Sequence, residues 1–236
     1  LGRASSLIFA REGARVVVVG HRQREAAEET VRLIKDAGSD ATLVIGDVSN
    51  SSDVQNMVRT AVDTYGGLDC ALHSAVLDIQ SSPLAEIPEE DWNRSIAVNL
   101  TGIFLCMKYE IPAMLERGGG AIVNVSSGAG LVGRAGVAWY TAAKHGILGM
   151  TKTAAIDYGA QGIRVNALCP GAMWTPLMRE WAEREPGHIE ALNSMHPIGR
   201  IAEPEEVAEA GVWLCTKAAS FVLGHALSVD GGWVIH

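Results

Sequence analysis

The chain alternates short apolar runs with longer segments in which apolar residues recur every three or four positions. The short runs are rich in valine, isoleucine and leucine and predict buried strands at Arg15–Val19, Ala41–Ile45, Leu68–His73, Ala121–Val125, Arg164–Leu168 and Ala226–Val229. The longer segments predict helices at Arg3–Arg11, Arg24–Asp36, Ser52–Tyr65, Glu89–Glu116, Trp139–Tyr158 and Pro204–Cys215. This alternation predicts right-handed crossovers, and therefore an α/β fold: a doubly wound parallel sheet with helices on both faces.

No repeat, low-complexity segment or linker interrupts the alternation, so we expect residues 1–236 to form a single domain. Hydrophobic residues make up 48% of the chain, which suffices for one sizeable core. The net charge of −8, without a cluster of lysine and arginine, argues against a nucleic-acid partner. No apolar run reaches the roughly 18 residues of a membrane span, and no signal-peptide pattern is recognisable. These features predict a cytoplasmic protein that binds neither nucleic acid nor membrane.

The four cysteines, Cys70, Cys106, Cys169 and Cys215, do not have the spacing of metal ligands, such as Cys-x-x-Cys. Cys70 and Cys106 lie in apolar segments. We therefore predict no metal site, and we expect buried free thiols in a reducing cytosol.

Tyr140 and Lys144 are four residues apart in a helical segment without proline, and the apolar run Ala121–Val125 leads directly into Ser126 and Ser127. A spacing of four places the phenol and the ammonium one turn apart on one helix face. A nearby cation stabilises the phenolate, so we expect the pKa of Tyr140 to be lowered. Ser127 follows a strand, at the edge where open α/β sheets bind ligands. The arrangement suits proton transfer to a carbinol or carbonyl oxygen, although the pair alone is also typical of an exposed helix surface.

Several motifs occur in a fixed order along the chain: Asn99 within Ser95–Gly102, Asn124-Val-Ser-Ser127, Tyr140-x-x-x-Lys144, Asn166–Gly171 and Val229–Gly232. In this order they resemble the short-chain dehydrogenase/reductase family, in its compact single-domain type, over the whole length. The resemblance implies a Rossmann-like fold. It also implies an oxidoreductase that transfers a hydride between a nicotinamide cofactor and a secondary alcohol/ketone pair.

The family resemblance also assigns roles to four residues. By this resemblance Tyr140 is the general acid/base, and Ser127 orients the substrate oxygen. Lys144 lowers the pKa of Tyr140 and holds the nicotinamide ribose. Asn99 kinks its helix and holds a water of the proton relay.

Cofactor choice is indicated by the residues that follow the second strand of the family fold. Family members that use NAD carry aspartate at the place of Gly20, where it bonds the adenosine ribose and repels a 2′-phosphate. This chain has Gly20-His21-Arg22 instead. Arginine suits a phosphate, so NADP(H) is favoured and NAD(H) is possible. Alternatively, His21 and Arg22 cap the turn into the next helix.

Further cofactor contacts follow from the resemblance. Asp47 and Val48 match the adenine contacts, although Asp47 could equally cap a helix ahead of Ser49–Ser52. Met173 and Thr175 match positions that bind the nicotinamide carboxamide. The implied cofactor-binding residues are Gly2, His21, Arg22, Asp47, Val48, Ala75, Tyr140, Lys144, Pro170, Gly171, Met173 and Thr175.

Two segments depart from the family pattern. Gly2 matches the last glycine of a Thr-Gly-x-x-x-Gly-x-Gly loop whose remainder, with the first strand, would bind the pyrophosphate. Since neither precedes Gly2, we expect the sequence to be a truncated form of a longer chain. His73-Ser74-Ala75-Val76 replaces Asn-Asn-Ala-Gly. The β-branched Val76 brings the affinity for the cofactor into question more than the fold, and we expect His73 to make a structural hydrogen bond.

The segment Pro176–Pro197 is predicted to be helical, with Met178, Trp181, Leu192 and Met195 as its apolar positions. In the family this region is a mobile lid over the substrate, and an amphipathic packing helix is the alternative. With Leu131, Val132 and Trp139 it is expected to form a mainly apolar pocket. No anchor for a phosphate, a carboxylate or coenzyme A is evident, so the sequence does not identify the substrate.

Two other functions compete with the oxidoreductase. One is a catalytically silent fragment or a nucleotide-binding subunit of an oligomer. The other is a nucleotide-sugar epimerase or dehydratase, which also uses Tyr-x-x-x-Lys but needs a second lobe for which 236 residues leave no room.

The helices that carry Asn99 and Tyr140 are apolar around much of their circumference, with Ile103, Phe104, Leu105 and Met107 in the first, and Ile147, Leu148, Met150 and Ala154 in the second. A helix of this kind needs cover on more than one side. We therefore expect a homotetramer, or failing that a homodimer, in which these helices and the apolar closing segment Val229–His236 form two-fold contacts.

Overall fold

A computed structural model describes residues 1–184 and 186–235, and the side chains of residues 176, 177, 181, 183, 186 and 188 lie outside this description. Its strands are β1 (Val16–Gly20), β2 (Ala41–Ile45), β3 (Cys70–His73), β4 (Gly120–Val125), β5 (Ile163–Pro170) and β6 (Ala226–Val229). Its α-helices are α1 (Gly2–Arg11), α2 (Arg24–Asp36), α3 (Ser51–Tyr65), α4 (Glu89–Ile96), α5 (Gly102–Glu116), α6 (Ala138–Tyr158), α7 (Pro176–Arg184), α8 (Pro186–Ser194) and α9 (Pro204–Cys215). Each predicted strand is present within a few residues, and the predicted α/β class is confirmed.

All strand pairs are parallel, and they form one sheet ordered β1–β2 and a second ordered β3–β4–β5–β6. Helices cover both faces of the larger sheet. On one face Ile122 packs with Ile103 of α5 and Ile147 of α6. Its neighbour Val123 points to the other face, where it packs with Val207 of α9. Burial on both faces explains why these strands appear in the sequence as continuous apolar runs.

Helix α1 connects the two sheets by packing. Ala4 and Ile8 lie against Ala208 and Val212 of α9, beside the larger sheet. Leu7, on another face of α1, packs on the core cluster of β1, β2 and α2. The small and apolar side chains of α1 therefore hold the β1–β2 unit beside the larger sheet.

The predicted helix Glu89–Glu116 is interrupted in the structure. Helix α4 ends at Ile96, a π-helical turn covers Ala97–Thr101, and α5 then continues to Glu116. Single π-turns inside α-helices are frequent at functional sites. The turn contains Asn99, the residue for which the sequence predicted a kink.

Two further predictions concern a membrane span and the state of the cysteines. No helix in the described part of the chain is long and apolar enough to cross a bilayer. All four cysteines are free thiols, and only Cys70 is not fully buried, which confirms the predicted free state.

Candidate active site

The side chains predicted to carry the chemistry meet just beyond the carboxyl end of β4. Tyr140 and Lys144 lie in the first two turns of α6. Lys144 is buried, and its Nζ donates to the carbonyl oxygen of Val125 over 2.8 Å. The hydroxyl of Ser126 donates to the carbonyl oxygen of Lys144 over 2.8 Å. These two bonds fix the start of α6, which carries Tyr140, on the end of β4, which leads into Ser127.

The pKa of Tyr140 is raised, mainly because burial disfavours the phenolate. The hydrogen-bonding interaction with Ser127 and the charge of Arg134 oppose this effect, while Asp78 adds to it. The ammonium of Lys144, 5.4 Å from the centroid of the phenol ring, does not reverse the shift. The predicted lowering of the Tyr140 pKa is therefore wrong for this structure. A neutral phenol is the form that can donate a proton.

Lys144 is suited to a second role. Burial lowers its pKa to about 8, so the side chain is still mostly charged at neutral pH. An ammonium has three hydrogens to donate, and one of them is directed to the carbonyl of Val125. The other two remain available for hydroxyl groups of a bound ligand, as the family role requires.

The Oγ of Ser127 accepts a hydrogen bond from the backbone N–H of Ala129 over 3.1 Å. Its hydroxyl hydrogen is therefore left for donation, either to the phenol oxygen of Tyr140, whose pKa this interaction lowers, or to a substrate oxygen. The next residue must be small, because a Cβ at Gly128 would overlap the ring of Trp233. Trp233, which the sequence placed in an intersubunit contact, therefore forms a wall of this site within the chain.

The predicted apolar pocket needs one correction. Trp139 is fully buried, and its ring lies edge-on to that of Tyr140 with 5.5 Å between the centroids. The buried Trp139 ring packs against the phenol of Tyr140 and does not line an open pocket. Leu131 is exposed and Val132 is half-buried, and their place in an apolar pocket stays a prediction.

The side-chain amide of Asn99 forms two hydrogen bonds with the backbone of Leu77. Its Oδ1 accepts from the Leu77 N–H over 2.8 Å, and its Nδ2 donates to the Leu77 carbonyl over 2.9 Å. The same Nδ2 also donates to the hydroxyl of Ser95 over 2.9 Å. Both amide hydrogens are therefore used within the chain, and the evident role of this side chain is to fix the loop after β3. The water-holding role stays a prediction.

The predicted lid is a pair of helices, α7 and α8. Leu192 of α8 is buried, so α8 packs this side chain on the body of the protein, whereas Met178 of α7 and Met195, just after α8, are half-buried. Arg179 of α7 donates to the carboxylate of Glu203 over 2.9 Å and thus ties α7 to the start of α9. The side chain of Trp181 lies outside the described residues. Packing is therefore observed for α8, and lid motion stays a prediction.

At the other end of the site, two of the predicted adenosine contacts are neighbours. The Nε2 of His21 lies 3.7 Å from Oδ2 of Asp47. Asp47 accepts from the N–H and the hydroxyl of Ser49, over 2.8 and 2.7 Å. Although burial acts to raise the pKa of Asp47, the Ser49 hydrogen bonds and the charges of His21 and Arg22 lower it overall. Asp47 is thus an ionised acceptor.

The alternative capping roles are not observed. The N-cap of α3 is Asn50, whose side chain accepts from the N–H groups of Ser52 and Asp53, so Asp47 does not cap this helix. The N-cap of α2 is Gln23, and no side-chain bond caps that helix in the described chain. His21 and Arg22 are both exposed. Their side chains are therefore accessible to a ligand.

The amino end of α1 lies beside the end of β3. A Cβ at Gly2 would come within 3.1 Å of the Ser74 hydroxyl, so the two segments are in close approach. Ala75 and Val76 follow and are exposed, which leaves the valine side chain at the surface where the family pattern has glycine. Val48 packs closely on the backbone of Gly102 at the π-turn.

The segment after β5 is held by a histidine that the sequence did not single out. The N–H of Ala172 donates to Nε2 of His196 over 3.1 Å, and Nδ1 of the same ring bonds the carbonyl of Leu192 over 2.7 Å. His196 is buried, and a Cβ at Gly171 would come within 2.7 Å of its Nε2. No spacing in the sequence marks this residue. Its bonds fix the turn after Pro170 to α8.

The two residues matched to the nicotinamide carboxamide lie in this fixed turn. Met173 forms an isolated parallel bridge with Ala202. The Oγ1 of Thr175 accepts from the N–H of Met178 over 3.1 Å and so caps the start of α7. The hydroxyl hydrogen of Thr175 is left for a further partner. The proposed contacts to a carboxamide thus have a rigid backbone behind them.

His73 makes structural hydrogen bonds, as the sequence predicted. Its Nδ1 lies 2.7 Å from Oδ1 of Asn124, and its Nε2 lies 2.8 Å from Oε2 of Glu110. Asn124 donates onward to the hydroxyl of Thr151 over 2.9 Å. Burial acts to lower the pKa of His73, but Glu110 and the hydrogen bonds raise it overall, so the charged ring is favoured.

One group of metal-capable atoms lies at the same place. Ligand atoms of His73, Cys106 and Glu110 all lie within 4.8 Å of one another. A thiol binds a metal as the thiolate, and burial raises the pKa of Cys106, which favours the neutral thiol. His73 and Glu110 already satisfy each other, so the group is explained as part of the core.

The structure brings serine, tyrosine and a buried lysine to one carboxyl edge of a parallel α/β sheet, and an acidic acceptor beside exposed basic residues to another. This is the arrangement expected of a nucleotide-dependent alcohol/carbonyl oxidoreductase. Residues 1–234 match the family model described as enoyl-(acyl carrier protein) reductase. The chain belongs to the short-chain dehydrogenase/reductase family, as its motifs predicted, and is an NAD(P)-dependent oxidoreductase.

Three known proteins illustrate the similarity. The chain is 44% identical to 2,5-dichloro-2,5-cyclohexadiene-1,4-diol dehydrogenase of Sphingobium indicum, over 99% of the chain and 92% of that protein. It is 42% identical to cis-4-hydroxycyclohexanecarboxylate dehydrogenase of Sinomonas cyclohexanicum, over 99% of the chain and 92% of that protein. A solved structure of ElxO with NADP bound is 26% identical with a TM-score of 0.92, over 100% of the chain and 94% of that structure.

Proposed function

We propose that this protein transfers a hydride between NADP(H) and a secondary alcohol/ketone pair on a small ring substrate. The observation that carries the proposal is the placement of Tyr140, Ser127 and Lys144 at the carboxyl end of β4. The proposal of a ring-shaped substrate is supported by the names of the two relatives, both of which act on six-membered ring alcohols. The competing interpretation, a catalytically silent nucleotide-binding subunit, has the same fold but needs no such arrangement.

In the direction of reduction, the cofactor supplies the hydride. Ser127 donates its hydroxyl hydrogen to the carbonyl oxygen and orients it. Tyr140 is a neutral phenol because burial raises its pKa, so it can donate a proton to the same oxygen. The resulting phenolate is stabilised by the ammonium of Lys144, which lies 5.4 Å from the ring centroid. Oxidation needs the phenolate at the start, so it is favoured at higher pH than reduction.

The residues of the chain fit a dinucleotide. Asp47 is an ionised acceptor for an adenine amine, and Lys144 has donors left for ribose hydroxyls. The close approach of Gly2 and Ser74 brings the start of α1 to the site, where N–H groups favour a phosphate. We favour NADP(H) over NAD(H) because an exposed arginine, Arg22, follows Gly20 where NAD-dependent relatives carry an acid.

The direct test of the function is an assay of the purified protein with NADPH and cyclohexanone, followed by loss of NADPH absorbance. Binding of NADPH is measured in parallel by its fluorescence. Turnover supports the oxidoreductase, and binding without turnover across a panel of cyclic ketones supports the silent subunit. The panel includes 4-hydroxycyclohexanone, so that a need for a second polar group does not conceal activity.

Cofactor preference is expected to shift toward NAD in the double variant Gly20→Asp/Ala27→Gly. The new carboxylate bonds the ribose diol and repels a 2′-phosphate, and a charged hydrogen bond corresponds to roughly a tenfold change or more. The second change is required because a Cβ at Gly20 would lie 2.8 Å from Cβ of Ala27. The measurement is kcat/KM for NADPH and NADH.

Ala27→Gly alone is the matched control for this variant, since it creates the space without the charge. It should retain the preference of the unchanged protein. A protein that already prefers NADH before any substitution contradicts the proposed cofactor.

We further propose that the protein is a homotetramer, with a dimer as the alternative. Part of the surface that was predicted to form subunit contacts is not accessible, because Ile103, Leu105, Ile147 and Leu148 are buried within the chain. The large apolar residues that remain exposed include Phe104 on α5 and Ile156 on α6, and Trp213 of α9 forms a patch with Phe221 and Leu223. The patch surrounds a shallow depression with Leu227 in its floor, and exposed apolar patches mark interaction sites.

Light scattering at micromolar concentration is expected to give four times the 25.0 kDa mass of the chain. The variant Phe221→Ser removes the centre of the patch and should yield a smaller species. The exposed Leu84→Ser, far from the patch in sequence, is the control and should leave the mass unchanged. A monodisperse monomer would overturn the proposal.

A further inference from the structure

The loop between β3 and α4 is fastened to the active site at two points. The first is the double bond of Asn99 with the backbone of Leu77. The second is the carbonyl of Gly136, which accepts from the hydroxyl of Ser81 over 3.0 Å and from the N–H of Ser82 over 2.9 Å. The residues between these points, 78–80, are therefore held next to the segment that leads into α6 and Tyr140. Asp78 is the first of them.

Arg134 lies on the facing loop, just before Gly136. Its guanidinium carbon is 6.0 Å from the ring centroid of Trp233, which is within range of a cation–π contact. Trp233 in turn packs on the backbone of Gly128, next to Ser127. Arg134 is therefore held near the turn that follows Ser127.

Asp78 and Arg134 both act on Tyr140. The charge of Asp78 raises the pKa of Tyr140 and that of Arg134 lowers it, and Arg134 opposes the burial that raises the pKa of Asp78. Yet the two charges do not touch: in residues 1–184 and 186–235, no ion pair of 4.0 Å or less joins them. Both residues are exposed. Their charged groups are therefore accessible to a ligand.

We propose that Asp78 and Arg134 recognise a second, uncharged oxygen of the substrate: a hydroxyl group on the ring at a distance from the reacting carbon. This inference rests on the proposed function and specifies its substrate class. A hydroxyl can donate to a carboxylate and accept from a guanidinium at the same time. No other common group satisfies both partners with one atom.

The alternatives fit less well. A substrate carboxylate pairs with Arg134 but is repelled by Asp78, and an ammonium meets the reverse situation. A substrate ring without a second polar group has no atom that could bind Asp78 or Arg134. Cyclic diols, and the hydroxyketones formed from them, are thus preferred over cyclic hydroxy acids and over simple cyclic alcohols.

The test compares kcat/KM with NADPH for 4-hydroxycyclohexanone, cyclohexanone and 4-oxocyclohexanecarboxylate. The unchanged protein should prefer the hydroxyketone over cyclohexanone by roughly tenfold or more, as a hydrogen bond to charged groups provides. Asp78→Ala should bring this ratio close to one. Asp78→Asn keeps an acceptor oxygen without the charge, so it should retain part of the ratio and improve the reduction of the carboxylate substrate.

Asp63→Asn is the matched control, since it removes the same charge from an exposed position on α3 and should not move the ratio. A ratio near one in the unchanged protein, a preference for the carboxylate substrate, or an Asp78→Ala ratio equal to that of the unchanged protein would each overturn the inference. In all three cases reduction of cyclohexanone would still support the proposed function. If no ketone of the panel is reduced, both the proposed function and this inference fail.

Discussion

Tyr140→Phe is expected to lower turnover by roughly two to four orders of magnitude, the range that general acid–base catalysis contributes. Phenylalanine keeps the ring, and with it the edge-on contact to Trp139 at 5.5 Å between centroids. It removes only the hydroxyl, which is the proton donor. Because the start of α6 is fixed by Lys144 and Ser126, the backbone of the site should stay in place.

The measurement is kcat for cyclohexanone reduction together with NADPH binding by fluorescence. Binding should persist in the variant, so that the loss is confined to the chemical step. Tyr158→Phe, at the far end of the same helix, removes the same atom and should leave kcat unaltered. Near-normal reduction by Tyr140→Phe across the ketone panel would exclude Tyr140 as the acid.

Much of the fold could be predicted from the sequence because the central strands β4 and β5 are buried on both faces and appear as apolar runs. The less buried strands β2 and β6 also have the bounds that the pattern predicted. The interruption of the helix at Asn99 is different, because only the family resemblance implied a kink there. In the structure the Asn99 side chain binds the backbone of Leu77, far away along the chain. Local periodicity carries no information about that partner.

The candidate site was predicted as a set of residues, but not its electrostatics. The spacing of Tyr140 and Lys144 indicates one helix face, and the structure shows that face. Spacing does not reveal that the Lys144 ammonium is directed to the carbonyl of Val125, or that burial raises the pKa of Tyr140. Burial is a property of the folded molecule.

Apart from the catalytic residues, the sequence also did not indicate any polar residue that could bind the substrate. Asp78 and Arg134 are 56 positions apart in the printed numbering (134 − 78). Hydrogen bonds of Leu77 with Asn99, and of Ser81 and Ser82 with Gly136, bring their loops together. His196 escaped notice for the same reason, because its partners lie in other segments.

Glu110→Ala is expected to lower the free energy of unfolding by about 1–3 kcal/mol, since it leaves the Nε2 of the buried His73 ring without its partner. The side chains of His73 and Glu110 are only 8% and 12% exposed, so solvent screens the pair weakly. Glu110→Gln retains an oxygen that can accept from the ring N–H and removes only the charge. It should therefore cost less than Glu110→Ala.

The direction of the pH dependence follows from the raised pKa of His73. A raised pKa in the folded state stabilises the protein fully below the unfolded value of about 6.5, and this contribution is lost as the pH rises through the folded value. The difference in unfolding free energy between the unchanged protein and Glu110→Gln should thus be largest near about pH 6 and shrink toward about pH 9. Denaturant unfolding at both pH values measures it, with the exposed Glu116→Gln on the same helix as control. A difference that is equal at the two pH values would show that His73 and Glu110 are joined by a neutral hydrogen bond, and that the charged ring contributes nothing to the fold.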